Sequence, residues 1–546
     1  MKKKYNFHQG HGKNWVKNIK NIYTSKATMT TEGIMMKKLL RTLLGRVGFT
    51  AILLLFQVAV VFLIFLRFRQ FHVHYSVVAT IFSLLLVILI LNNRVSPAYK
   101  MSWIVLVMIS PFFGGLFYFL FSSDQTKKKF LKEMQPINRQ MSKFLEQNPA
   151  TLQRLNGADR LAANQARYLK DYAHCPLYEN SQTTYFKVGE RKFSRLLEEL
   201  EQAKHFIFME YFIISECVMW DEILSILKRK AQEGVDVRLI YDDFGTMLHL
   251  PGGYPKTLEN FGIQCAVFNP FVPFLSIRMN NRDHRKITVI DGHTAFNGGI
   301  NLADEYINYV KRFGHWKDTA LMIKGEAVWS FTIMFLTMWG YLKKTEEDFN
   351  QFRPRHADIS QIQGDGFVQP FTDSPLDGEF VGESVYLNLI WNAKDYIYIT
   401  SPYLVLDNEM INALALASKR GVDVRIITPK IGDKWYVHAM SRANYRYLIE
   451  DGVKLYEYTP GFIHAKMFVV DDAFGVIGTI NLDYRSLYLH YECATWMYGT
   501  KAVMEMKKDM EKSMAVSEEI LLEAYNQTPW TQKLIFLMLR ILAPLM

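Results

Sequence analysis

His284-Arg285-Lys286-Ile287-Thr288-Val289-Ile290-Asp291 is followed by Gly298-Gly299-Ile300-Asn301, and this arrangement recurs. His464-Ala465-Lys466-Met467-Phe468-Val469-Val470-Asp471 precedes Gly478-Thr479-Ile480-Asn481 at the same offsets. One match could be chance. Two, each closed by Gly-x-x-Asn, mark a duplication, so the fold must present one local structure twice.

The flanking sequence repeats too. Lys204 to Tyr211 reads as an aromatic-rich strand, a helix through Ile223, Ile226 and Leu227 follows, and Gly234 to Ile240 turns into a second strand. Lys394 to Thr400, Ile411 to Leu416 and Gly421 to Ile427 repeat this series. Strands alternating with helices give an α/β layered domain, here duplicated. We expect a first half over 181–345 and a second over 366–528, linked by the polar stretch Lys343 to Asp365.

The chain before residue 181 is different. Residues 1–46 carry many Lys and Arg and one acid, Glu32. This is too long and polar for a cleaved signal peptide. It reads as a basic tail, able to rest on anionic lipid at roughly 1 kcal/mol per basic residue. Uncharged apolar runs follow at about 47–66, 77–91 and 102–121. A spanning helix needs roughly 17–25 apolar residues, so the first and third qualify and the second is marginal. The positive-inside rule puts both the tail and Lys127, Lys128, Lys129 and Lys132 in the cytoplasm. Three full spans cannot satisfy both demands; either one segment is re-entrant or the soluble part lies outside. Residues 123–180 read as a helical connector, and 529–546 as an interfacial amphipathic helix.

The net charge of +11 calls for an anionic partner, and the apolar segments select lipid over nucleic acid. Cys175, Cys217, Cys265 and Cys493 lack metal or disulfide spacing.

His284 and Lys286 are two residues apart in a β-branched run, so they share one strand face. The two motifs place His284, Lys286, Asp291, His464, Lys466 and Asp471 in the candidate catalytic set. Asp291 sits at an odd offset before Gly292, so it and Asp471 read as ties for the turn. The Gly298-Gly299 pair would let backbone approach a bound group, and Asn301 and Asn481 would offer amide donors to it. Brought together about a pseudo-two-fold axis, these residues form a pocket for a tetrahedral anion that calls for no metal and no cofactor. The Lys and Asn side chains would bind non-bridging oxygens. One His would attack phosphorus and the other would shuttle the proton. Each His needs a partner that fixes its tautomer. Glu492 is the candidate in the second half. In the first, the matching offset falls on Arg312, which cannot serve, and a short insertion brings in Asp318. Asp483, Arg485 and Ser486 would support the pocket.

The paired motifs resemble the phospholipase D superfamily, and the layout resembles bacterial cardiolipin synthases. Asn92 to Trp103, Pro111 to Gly115 and Gln369 to Pro375 carry the second likeness. It implies two α/β/α sandwich domains behind transmembrane helices, in a multi-pass protein of the bacterial plasma membrane. It also implies that two phosphatidylglycerol molecules give cardiolipin and glycerol through a phosphohistidine. By that analogy His284 is the nucleophile and His464 the acid/base. A hydrolase or a transferase to another alcohol shares the motifs. A membrane-tethered nuclease fits the apolar segments poorly, and an inactive scaffold would not keep both motifs intact.

Overall fold

The computed structural model describes residues 72–93, 97–121, 141–271, 280–355 and 359–545, with scattered positions between 55 and 66. The basic tail, most of the first apolar run and residues 123–140 lie outside the described residues. The described residues from 72 onward form one compact unit.

The first half contains β1 (Ser181–Phe186), β2 (Phe206–Tyr211), β3 (Asp236–Asp242), β4 (Gln264–Phe268), β5 (Arg282–Asp283), β6 (Lys286–Ile290), β7 (Thr294–Gly298), β8 (His315–Lys317) and β9 (Ala320–Gly325). Seven of these form a sheet in the order β1-β9-β7-β6-β2-β3-β4. The second half contains β10 (Phe367–Asp373), β11 (Tyr396–Thr400), β12 (Asp423–Pro429), β13 (Lys454–Tyr458), β14 (Gly461–Ile463), β15 (Met467–Val470), β16 (Phe474–Gly478), β17 (His490–Tyr498) and β18 (Ser517–Glu519). The order β10-β17-β16-β15-β11-β12-β13 repeats the first sheet, with β18 added at the edge. Every residue of β2 and β11 is buried, as expected of central strands covered on both faces. The predicted helices are Val218–Gln232 and Asn408–Lys419, each returning the chain to a parallel strand.

Two short pairings cross between the halves. β5 runs parallel to β17, aligning Arg282 with His490 and Asp283 with Tyr491. β14 runs parallel to β8, aligning Ile463 with Lys317. The expected linker is anchored: Phe349 and Phe352 are buried, and Phe352 stands edge-on to Phe206 and Phe208.

The N-terminal helices depart from expectation. The run at 77–91 lies within the helix His72–Asn92. The run at 102–121 is not one span but the helices Pro97–Ile109 and Pro111–Phe121. Pro111 has no N–H to continue the ladder. A Cβ on Gly114 would lie 2.5 Å from the Leu106 carbonyl oxygen, so the second helix folds back on the first at a contact only glycine allows. Among the described residues, no helix is long and apolar enough to cross a membrane. The C-terminal helix Trp530–Leu542 packs Leu539 toward Val405, Met440 and Tyr484. The Ser102 hydroxyl donates to the Ile541 carbonyl at 2.6 Å. Trp530, Leu534, Leu537 and Met538 remain exposed, so one face of this amphipathic helix is packed and the other is open.

Asp291 and Asp471 occupy equivalent turns with φ of +50°. Asp291 accepts from the amides of Lys204, His205 and Phe206 at 2.8–2.9 Å. Asp471 accepts from those of Lys394, Asp395 and Tyr396 at 2.7–2.9 Å. Each carboxylate thus ties the motif strand to the start of β2 or β11. We expect Asp291→Ala to destabilise the protein by about 2–4 kcal/mol, because it strands buried amides. Asp471→Ala, at a half-buried turn, should cost less. Melting of the full chain in detergent measures both.

Candidate active site

The strand register delivers both histidines to the seam between the halves. The His284 amide donates to the Tyr491 carbonyl at 2.9 Å, and the His464 amide to the Lys317 carbonyl at 2.7 Å. Each histidine is therefore held beside the residue that precedes a carboxylate of the other half. His284 Nδ1 lies 2.9 and 3.0 Å from the two Glu492 oxygens. His464 Nδ1 lies 2.6 Å from Asp318 Oδ2. The expectation of a carboxylate within each half is corrected here: the partners are exchanged, because β5 and β14 pair with strands of the opposite half.

With Nδ1–H donating to a carboxylate, each imidazole keeps its lone pair on Nε2. Lys286 Nζ donates to the His284 carbonyl at 2.5 Å, and Lys466 Nζ does the same to the His464 carbonyl. Lys466 Nζ is also 2.9 Å from His464 Nδ1, but the Asp318 contact is shorter and takes the ring proton. Beneath His284, the buried Arg285 guanidinium meets Glu210 at 2.5 Å and Asp283 at 3.0 Å, which fixes the approach to β6.

Burial holds both imidazoles well below their ordinary pKa. The Lys286, Lys466 and His464 charges depress His284 further, and those of Lys466 and Lys286 depress His464. Burial lowers Lys286 to about 8 and Lys466 to about 7, and lifts Asp318 to about 7. The two halves thus contribute to one electrostatic site, in which the buried Lys286 and Lys466 stand among the carboxylates of Glu492 and Asp318.

The asparagines are buried and partly committed. Asn301 Nδ2 donates to the Tyr306 hydroxyl at 2.7 Å, and its oxygen accepts from the Ile213 amide at 3.1 Å. Asn481 Nδ2 donates to Ser486 Oγ at 3.0 Å. Each amide nitrogen keeps a second hydrogen. Asp483 caps the helix Tyr484–Tyr488 by accepting from the Ser486 amide. The glycines have another task than the one expected. A Cβ on Gly298 would meet the Thr319 carbonyl oxygen at 2.5 Å, and one on Gly478 would meet Ala494 Cβ at 2.4 Å. Both admit the neighbouring strand.

Sequence reasoning missed several neighbours. Thr479 Oγ1 donates to Glu492 Oε2. The equivalent Gly299 leaves room for Asp318, whose Oδ1 would lie 2.2 Å from an added Cβ. The offset between the Gly-x-x-Asn segments had this contrast in plain view. Phe212 stands edge-on to His284 at 5.0 Å, and Tyr306 stands edge-on to His464 at 5.6 Å. His490 lies 5.6 Å from His284 between ring centroids, and Trp316 lies 5.7 Å from His464. No motif marks these four. Among the described residues, two groups have ligand atoms close enough to share a metal ion: His284, His490 and Glu492, and separately Glu383, Asp407 and Glu409.

Fold and site together define a duplicated phospholipase D-like protein. The family described as "Cardiolipin synthase, PLD-like domain" matches residues 196–329 and 386–514, and "Phospholipase D-nuclease N-terminal" matches 78–122. A cardiolipin synthase of Geobacillus kaustophilus is 35% identical over 84% of this chain and 90% of its own length. One of Halalkalibacterium halodurans is 33% identical over 84% and 91%. An uncharacterised protein of Streptococcus mutans is 43% identical over 84% and 99%. The chain belongs to the cardiolipin synthase family. A phosphatidylserine synthase of Haemophilus influenzae shares the fold, with a TM-score of 0.52 at 17% identity, over 70% of this chain and 98% of that one.

Gly299→Ala should displace Asp318 and release His464 from its partner. A misplacement of about 1 Å lowers turnover by roughly 100-fold. Steady-state rates with an unchanged melting temperature would establish this effect.

Proposed function

We propose that this chain makes cardiolipin and glycerol from two phosphatidylglycerol molecules, with one imidazole as nucleophile and the other as proton carrier. One observation carries the reading: each histidine is held by a carboxylate from the opposite half, beside two buried lysines. Nε2 of His284 attacks the donor phosphorus while His464, protonated as the anionic phosphate binds beside it, gives its Nε2 proton to the leaving glycerol oxygen. A phosphatidyl-histidine results. His464 then takes the proton of the acceptor's primary hydroxyl as that oxygen attacks phosphorus, and His284 is released unchanged. Lys286, Lys466, Asn301 and Asn481 hold the non-bridging oxygens where charge develops. Glu492 and Asp318 orient the rings and stabilise them when they are cationic.

Both substrates are lipids, and we place the site at the surface of the bacterial plasma membrane. Val77, Val78, Ile81, Leu84, Leu85, Ile88 and Leu89 present an open apolar face on the helix His72–Asn92. The exposed residues of the C-terminal helix add to it. In this reading the protein is multi-pass, and the helices His72–Asn92, Pro97–Ile109 and Pro111–Phe121, packed on one another through Leu86, Ile90, Trp103, Val107 and Tyr118, enter the membrane together, none of them crossing it alone.

Purified full-length protein incubated with labelled phosphatidylglycerol in liposomes should release cardiolipin and glycerol in equal amounts. Phosphatidic acid as the sole lipid product would replace the transferase with a hydrolase. His284→Ala should lower the rate at least about 1,000-fold; full activity in that variant would remove the mechanism. Activity should persist in excess EDTA. The pH profile of kcat/KM reports the free enzyme. The nucleophile is already neutral at neutral pH, because its pKa is depressed, so the acid limb should fall below about pH 6.5. The alkaline limb should fall as His464 loses the proton it must give and as Lys466 and Lys286 lose the charge that binds phosphate.

A further inference from the structure

The pseudo-two-fold symmetry fails at one position beside each catalytic histidine. Glu492 and Asp318 are equivalents, so the residues two places before them, His490 and Trp316, are equivalents too. Their rings stand at matching distances and tilts from the histidines they flank: 5.6 Å and 45° for His490 with His284, 5.7 Å and 47° for Trp316 with His464. Trp316 offers no ligand atom, whereas His490 offers two nitrogens.

Those nitrogens have no assigned task. The His490 side chain is only 10% exposed, and among the described residues neither Nδ1 nor Nε2 has a hydrogen-bond partner within 3.5 Å. A buried imidazole with no partner is costly unless something binds it. Nδ1 is 3.7 Å from Glu492 Oε1, too far for a hydrogen bond and aimed at a carboxylate already used by His284. The ligand atoms of His284, His490 and Glu492 all lie within 4.8 Å of one another. Zinc binds imidazole nitrogen and carboxylate oxygen at about 2.0–2.1 Å, which sets tetrahedral edges of about 3.3 Å. The two edges to Glu492 Oε1, 2.9 Å from His284 Nδ1 and 3.7 Å from His490 Nδ1, straddle that value. Thr479 keeps the other carboxylate oxygen in place.

We propose that His284, His490 and Glu492 form an inhibitory site for zinc or a similar borderline divalent cation. The inhibitory half of this proposal rests on the reading of His284 as nucleophile. A metal on Nδ1 displaces the ring proton, which moves to Nε2 and occupies the lone pair that would attack phosphorus. The bond to Glu492 is replaced by coordination, and a water or hydroxide takes the fourth position. The neighbouring Lys286 and Lys466 charges oppose the dication, so a chelator strips it readily. Magnesium and calcium, which prefer oxygen ligands, do not compete.

The test uses full-length protein in detergent, stripped of metal. Zinc titration, followed by equilibrium dialysis and by loss of cardiolipin synthesis, should show one bound ion per chain whose binding tracks inhibition, reversed by EDTA. His490→Phe should lose zinc affinity by at least the roughly 10–100-fold that removing even an outer-shell partner costs, and its residual activity should resist zinc. X-ray absorption of the zinc-loaded wild type should report imidazole scatterers, which keeps the proposal testable should the variant fail to fold. Zinc bound equally by His490→Phe, zinc without an imidazole shell, or zinc that binds there without inhibiting would each overturn it. A wild type that binds zinc through two imidazoles but makes no cardiolipin would retain the site and remove the reading of function.

Discussion

The imidazole of each repeated motif depends on a carboxylate that its own half does not supply. This exchange is imposed by backbone pairing: the amides of His284 and His464 bond to carbonyls next to Glu492 and Asp318. Side-chain geometry follows from that register. The tautomer, the position of the lone pair and the spacing of the two rings are all set at the seam between the sheets. Neither half contains both members of a histidine–carboxylate pair, so each pair exists only because the fold is duplicated.

The sequence made much of this legible because the motif's physics is local. The strand pairs around Phe206–Tyr211 and Tyr396–Thr400 follow from apolar patterning, and Asp291 and Asp471 follow from an odd offset before a turn. What was not legible depends on contacts between distant residues. Nothing near His284 names Glu492, more than two hundred positions away, as its partner. The same holds for the glycines, which read as letting the backbone approach a bound group and in the fold admit a neighbouring strand or the Asp318 carboxylate. Composition marked 102–121 as one span, but the close approach of Gly114 to Leu106 is a tertiary fact. Pro111 was the one local sign of the break.

The two half-sites are not copies. On one side a short Asp faces a glycine; on the other a longer Glu is held by the Thr479 hydroxyl. His464 sits among Trp316, Tyr306 and Phe462, whereas His284 has Phe212 and a third imidazole beside it. A duplicated fold can give equivalent histidines different work by altering only what surrounds them.

The hydrogen bond from Ser102 to Ile541 joins points 439 residues apart in the sequence. The apolar helices near the amino terminus leave the ribosome long before the segment that secures them exists. They must therefore be sheltered until that segment is made, and any change to the helix Trp530–Leu542 reaches them directly.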